Sequence, residues 1–220
     1  MCPKRCKKMV HNSAVTQTII EQLAGIEPDS PVAKNYQRRA IAREQAELSY
    51  QLLLHPQAPG SVSLEERRVI AAFVAGLYQE PATRRHYVGL LQDVAPAFVH
   101  SLEQILQQAS THGPWGAYPQ GPLSVEDVGG TPWHITPEQV GVFGPRLAAA
   151  LEHAHLLVTH PRDANPAALG RLAAAGWDED GLVVLSQLIA FLSFQVSIVS
   201  GFSVLVAASF AQTTESAHPS

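Results

Sequence analysis

Cys2 and Cys6 are the only thiols in the chain, and both stand inside the basic run MCPKRCKK. Their spacing is Cys-x-x-x-Cys, one residue longer than the redox Cys-x-x-Cys pair. No apolar run follows, so the segment is not built like a secretory leader. With no cysteine elsewhere no disulfide framework is needed, which suits a cytoplasmic location. His153, His155 and His160 crowd a second place. On a helix, side chains two apart point about 200° away from each other, so His153 and His155 do not readily share an ion. No His-Glu-x-x-His, paired cysteine or acidic partner at ligand spacing accompanies them, and no metal is expected. Trp133-His134 closes a long Gly/Pro-rich stretch. An aromatic beside a histidine at a loop end can line a ligand pocket, while the plainer expectation is that Trp133 anchors the loop onto helices. No Gly-rich phosphate loop, nucleophile elbow or kinase signature occurs, and no cofactor is expected.

These side chains need a scaffold, and the sequence specifies a helical one. At 46% hydrophobic the chain can bury a core, and a net charge of −4 gives no basic footprint for nucleic acid. Strand signals are scarce, so the reading is all-α. The organising stretch is Gly181 to Thr214, which carries no charged side chain. Its length and apolarity suit a bilayer span of about 20 residues. They equally suit a helix buried in an all-α protein or its oligomer. Ser186, Ser193, Ser197, Ser200 and Ser203, with Gln187 and Gln195, would each need a partner in hydrocarbon. A soluble buried helix with one narrow small-residue face is therefore preferred to a membrane span.

The remaining helices announce themselves by caps and periodicity. Thr16 to Leu23 carries Ile19, Ile20 and Leu23, and Gly25 stops it. Val32 to Leu54 reads as one long amphipathic helix. Its apolar stripe is Tyr36, Ala40, Ile41, Leu48, Leu52 and Leu53, and its wet face Arg38, Arg39, Arg43, Glu44 and Glu47. Ser63 and Glu66 form a capping box for a helix from Leu64 to Tyr78 that buries Val69, Ile70, Phe73, Val74 and Leu77. Pro81 and Pro96 open two more. An irregular connection from His112 to Pro132 follows, and such length in a compact protein often serves function. Thr136-Pro137, Pro145 and Asn165-Pro166 are further starts. Gly176-Trp177 closes a Schellman-type turn, and Asp178 caps the final helix. The expected division is a disordered basic arm at 1–12, a helical half at 13–110, a connection at 111–136, a second helical half at 137–212, and a disordered tail at 213–220.

Three segments carry a resemblance: AREQAELSYQLLLHP, SVSLEERRVIAAFVAGLY, and HPRDANPAALGRLAAAGWDEDGLVVLSQLIAFLSFQVSIVSGFSVL. Together they resemble the carboxymuconolactone decarboxylase superfamily, within it the tandem, peroxidase-related branch similar to alkylhydroperoxidase D (AhpD-like). The run from AAAGW to LSQLIAFLSFQ is the most specific part, and the likeness covers most of residues 16–206. It implies an AhpD-like multi-helix fold with two related helical halves, a long apolar C-terminal helix, and a symmetric homo-oligomer, dimer to hexamer, built on the long helices. The shared apolar pattern of ERRVIAAFVAGLY and VLSQLIAFLSFQ agrees with a repeat.

The resemblance also implies peroxidase-like oxidoreductase chemistry, in which a low-pKa thiolate attacks peroxide and a second thiol resolves it. Active members place Cys-x-x-Cys before a histidine, with a glutamate upstream. Here the matching stretch, Gly76 to His86, holds no thiol. His86 matches the motif histidine. The upstream glutamate falls near Arg67 or Arg68, with Glu65 and Glu66 slightly earlier, so His86, Glu65 and Glu66 are the candidate catalytic residues. Relatives often carry Asn and Arg or Asn where Ser193 and Ser197 stand. If Ser193 and Ser197 line a ligand cavity with Trp133 and His134, that cavity is smaller and less charged, which argues against anion binding. Arg68 and Arg85 are equally at home on a solvated helix face. Three functions follow: a catalytically degenerate CMD-fold protein that binds a small molecule or serves as an oligomeric scaffold, an enzyme with non-thiol chemistry around His86, or a membrane-associated helical protein. The first is preferred.

Overall fold

Side-chain caps set most of the helix starts. Thr18 and Glu21, Ser63 and Glu66, and Thr136 and Gln139 each bond reciprocally across the first turn, satisfying backbone N–H groups that have no partner within the helix. Ser30, Glu80 and Asn165 cap three further helices that continue with proline. The computed structural model describes residues 17–111 and 113–216, with side chains through residue 210. Among these it is all-helical: α1 Ile19–Leu23, α2 Pro31–Gln37, α3 Ala40–Leu54, α4 Leu64–Leu77, α5 Pro81–Val94, α6 Ala97–Ala109, α7 Pro137–Thr159, α8 Pro166–Ala174 and α9 Glu179–Ser216.

Two helices end in the same way. His55 precedes Pro56 and takes φ −129°, ψ 47°, and His160 precedes Pro161 and takes φ −130°, ψ 47°. A residue before proline is driven out of the helical region, so each His-Pro pair closes its helix. Gly144, at φ 76°, breaks α7 just before Pro145, which is where the sequence predicts a fresh helix start.

The core is organised on α4, whose residues from Arg67 to Leu77 are all buried. It packs against α3, α5, α6, α7 and α9. Gly76 permits the closest approach, because a side chain there would collide with Leu106 of α6. Helix α9 packs on α1, α2, α3, α4 and α7, burying Leu185, Leu188, Ile189, Leu192, Gln195, Val196 and Val199. Its stretch from Glu179 to Phe210, with a mean hydropathy of 2.2, would by length and composition also suit a membrane span. Val204, Leu205 and Phe210 on its last turns are exposed.

Three sequence expectations are corrected. The predicted helix from Val32 to Leu54 is two helices, because the chain turns at Arg38–Arg39. Its predicted apolar stripe holds at Tyr36 and Leu53, which pack on the core, and fails between them: Ile41, Leu48 and Leu52 face solvent, while Ala46, Tyr50 and Leu54 are buried. The cause lies on the supposed wet face. Arg43 pairs with the buried Glu21 at 2.8 Å and Glu47 accepts the Ile19 N–H at 2.8 Å, so polar contacts turn that side inward. The C-terminal helix runs to Ser216, past the expected boundary at 212. The arm expected at 1–12 and residues 217–220 lie outside the described residues.

The Gly/Pro connection lies against its own chain. Trp115 donates its N–H to Thr159 O at 2.7 Å, Arg162 donates to Glu126 O at 2.9 Å, and its guanidinium sits 4.2 Å over the Tyr118 ring. Gly116 and Val128 form an isolated antiparallel bridge within it. The predicted turn at Gly176 forms as read: Trp177 N–H reaches Leu172 O, and Gly176 N–H reaches Ala173 O.

Candidate functional site

His86 stands on α5, half-buried, where α3 and α4 meet it. From α3, Tyr50 brings its hydroxyl to 2.9 Å from His86 Nε2. The same oxygen lies 2.9 Å from Nε2 of His55, at the end of α3. From α4, Arg68 Nη2 lies 3.2 Å from His55 Nδ1. The four side chains form one hydrogen-bonded series across three helices.

Its direction is fixed by chemistry. A guanidinium only donates, so His55 Nδ1 accepts and its proton sits on Nε2. That Nε2–H donates to Tyr50 Oη. The Tyr50 hydroxyl then has one proton to give, and His86 Nε2 accepts it. His86 therefore carries its proton on Nδ1. Burial, and then the nearby Arg68, lower the pKa of His55, and burial, Arg68 and His55 bring that of His86 to about 4. Burial pushes the Tyr50 phenol up to about 12. At neutral pH the series is one cation followed by three neutral groups.

Arg68 is 4% exposed, which corrects its reading as a solvated side chain. A second pair adjoins it. Tyr87, next to His86 and in ring contact with it at 5.0 Å, donates its hydroxyl to Gln195 Oε1 of α9. Both are fully buried. Sequence reasoning passed over Tyr50, His55, Tyr87 and Gln195 as site residues. The available signals were the His55-Pro56 break and a tyrosine five residues before it.

The candidate carboxylates do not join His86. Glu66 closes the Ser63 capping box and pairs with Arg146 Nε at 2.7 Å, and Glu65 is exposed on the first turn of α4. Glu66 is held there because Arg146 also bonds Ser61 O and Gly176 O and lies 4.1 Å over the Trp177 ring, joining α4, α7 and the turn between α8 and α9. Arg67, also buried, donates to Val62, Leu53 and Pro59 carbonyls at 3.0, 2.9 and 2.9 Å, which ties down the loop before α4. Ser193 and Ser197 turn their hydroxyls back onto the carbonyls of Ile189 and Ser193.

Trp133 and His134 border a different feature, a cavity of about 60 Å³ whose walls include Glu152, His153, His155 and His160. Trp133 also anchors the loop, packing 5.5 Å from Phe73 and 5.3 Å from His155 between ring centroids. His134 Nδ1 is 3.5 Å from Glu152. His160 donates Nδ1–H to Asp163 at 3.1 Å, and its Nε2, like His153 Nδ1, is buried without a partner. Among the described residues no three His, Cys, Asp or Glu side chains are grouped to hold a metal ion. Compared with family models and with curated proteins, the sequence matches none.

Proposed function

We propose that the protein is a catalytically degenerate, small-molecule-binding homo-oligomer of the carboxymuconolactone decarboxylase-like type that lacks the Cys-x-x-Cys redox motif, working in the cytoplasm, with its ligand site at the Arg68–His55–Tyr50–His86 series. One observation carries this reading: polar side chains from three helices converge on His86, in a region where apolar packing would cost far less. The resemblance points to the same histidine, and the all-helical architecture with its long apolar final helix is compatible with it. The stretch from Gly76 to His86 holds no thiol, so a thiolate attack on peroxide has no nucleophile there. The exposed apolar side chains of α3 and α9 support self-association.

The test combines turnover and binding. Peroxide consumption with a reductant is measured for wild type, Cys2→Ser/Cys6→Ser and His86→Ala. No turnover is expected in any. Turnover lost only in the cysteine variant would place a redox centre in the N-terminal arm and overturn the proposal. An uncharged fragment library is then screened by thermal shift on wild type and His86→Ala. Hits are expected on wild type and are expected to vanish in the variant.

A second reading, an enzyme with non-thiol chemistry, is favoured by the direction of the series. Tyr50 holds a proton aimed at a neutral imidazole, an arrangement suited to proton transfer. Turnover that survives without the cysteines and is lost in His86→Ala would select it.

A further inference from the structure

The hydrogen-bonded series accounts for only one of the three guanidinium nitrogens of Arg68. Nε and Nη1 are buried with no partner. Gln195 is in the same condition: its Oε1 accepts from Tyr87, and its Nε2 is buried with no partner. Arg68 is 4% exposed and Gln195 0%. Tyr87 connects the two: it bonds Gln195 and is in ring contact with His86, the other end of the series that begins at Arg68. Helices α4 and α9 thus carry three buried donor nitrogens without a partner, joined through this series. No carboxylate lies within ion-pair distance of Arg68 among the described residues. A buried guanidinium without a counter-charge is among the costliest arrangements a protein can hold.

We propose that Arg68 and Gln195 receive the anionic end of the ligand, and that this end is a carboxylate; the inference rests on the small-molecule reading of this cluster. The charge count selects a monoanion. His55, His86, Tyr50 and Tyr87 are neutral at physiological pH, so Arg68 is the one charge within the cluster, while Asp93 acts on Arg68 and Glu47 on Tyr50 and His55 from outside it without an ion pair. A dianionic phosphate would leave an excess negative charge in the interior. A carboxylate presents two oxygens with about four acceptor sites, so it can offer each of the three unpartnered nitrogens at least one acceptor. Entry is from the side of His55, which is exposed, and His86, which is half-buried.

The test is thermal shift and calorimetry at neutral pH and constant ionic strength on the full chain. The probes are sodium formate, acetate and benzoate, with sodium chloride and sodium phosphate beside them. The proteins are wild type, Arg68→Met and Gln195→Glu. At least one carboxylate is expected to raise the melting temperature of wild type saturably, with affinity at least tenfold weaker in Arg68→Met. Arg68→Met itself is expected to melt no lower than unliganded wild type, because it removes an unpaired buried charge. Gln195→Glu supplies a carboxylate from within, so it is expected to melt higher than wild type and to lose the carboxylate response. No shift with any carboxylate, an equal shift in Arg68→Met, or a saturable response to the inorganic anions only would overturn the inference. Uncharged hits lost in His86→Ala, with no carboxylate response, would overturn it while leaving the small-molecule reading intact. Absence of both would remove both.

Discussion

The hydroxyl of Tyr50 stands 2.9 Å from Nε2 of His86. It can donate only one proton, and Arg68 at the far end of the series decides where that proton points. Tyr50→Phe leaves the His55 Nε2–H without an acceptor and His86 Nε2 without a donor. A loss of about 1–3 kcal/mol is expected, the usual cost of unsatisfied, largely buried polar groups. Urea unfolding measures it. Nitrogen NMR of the histidines adds a second readout, since His86 should be a pure Nδ1–H tautomer in wild type and a mixture in the variant. An unchanged tautomer and an unchanged midpoint would disprove the series.

Acid should destabilise the protein well before its carboxylates titrate. Burial holds His86 near pKa 4, against 6.5 for an ordinary histidine, and lowers His55, His153 and His155 as well. Between about pH 6.5 and 4 the unfolded chain therefore binds more protons than the folded one, so stability rises with pH. On acidification it falls through that window. Glu21, held below its ordinary value by Arg43 and Thr18 despite its burial, continues the loss at lower pH. Denaturation midpoints from pH 7.5 to 4 check the sign, and His86→Gln should flatten the slope between 6.5 and 4.

Arg67 and Arg68 are adjacent, equally buried, and predicted to behave oppositely. Arg67 satisfies three carbonyls of the segment between α3 and α4. Arg67→Met strands those acceptors and is expected to cost about 3 kcal/mol. Arg68→Met strands only His55 Nδ1 and relieves an unpaired charge. Equal destabilisation by the two substitutions, measured by urea unfolding, would contradict this account.

Much of the frame was legible because helix ends are encoded locally. Ser63 with Glu66, Thr136-Pro137, Asn165-Pro166 and Gly176-Trp177 act within a few residues, and each forms as read. Facing was less legible, because it depends on remote partners. Nothing near Arg43 or Glu47 reveals that Glu21 and the Ile19 N–H will draw them inward. The site was half legible. His86 stood out, but Arg68 read as a solvated side chain, and their connection runs through Tyr50 and His55 on a further helix and through Tyr87 to Gln195 on a fourth. The recurring His-Pro doublet at 55–56 and 160–161, each with an aromatic or imidazole ring five residues earlier, was present in the sequence as a clue.

The outward stripe on α3 and the outer turns of α9 give the final prediction. Ile41, Leu48 and Leu52 are spaced seven and four apart, so they share one outward helix face. Ile41 is 78% exposed, and on α9 Val204 is 67% and Leu205 is 54% exposed. Contiguous apolar patches beyond a few hundred Å² are rare on soluble monomers and mark interaction surfaces. A second copy is the expected partner, so light scattering after size exclusion should give a dimer or larger species. Because these side chains make few contacts within the chain, Leu48→Glu and Leu205→Glu should alter monomer stability by no more than about 0.5 kcal/mol. They should nevertheless shift the mass toward the monomer, with circular dichroism unchanged. A wild-type monomer soluble without detergent would refute self-association. Solubility only in detergent, with Leu205→Glu restoring it in buffer, would instead assign the end of α9 to a bilayer.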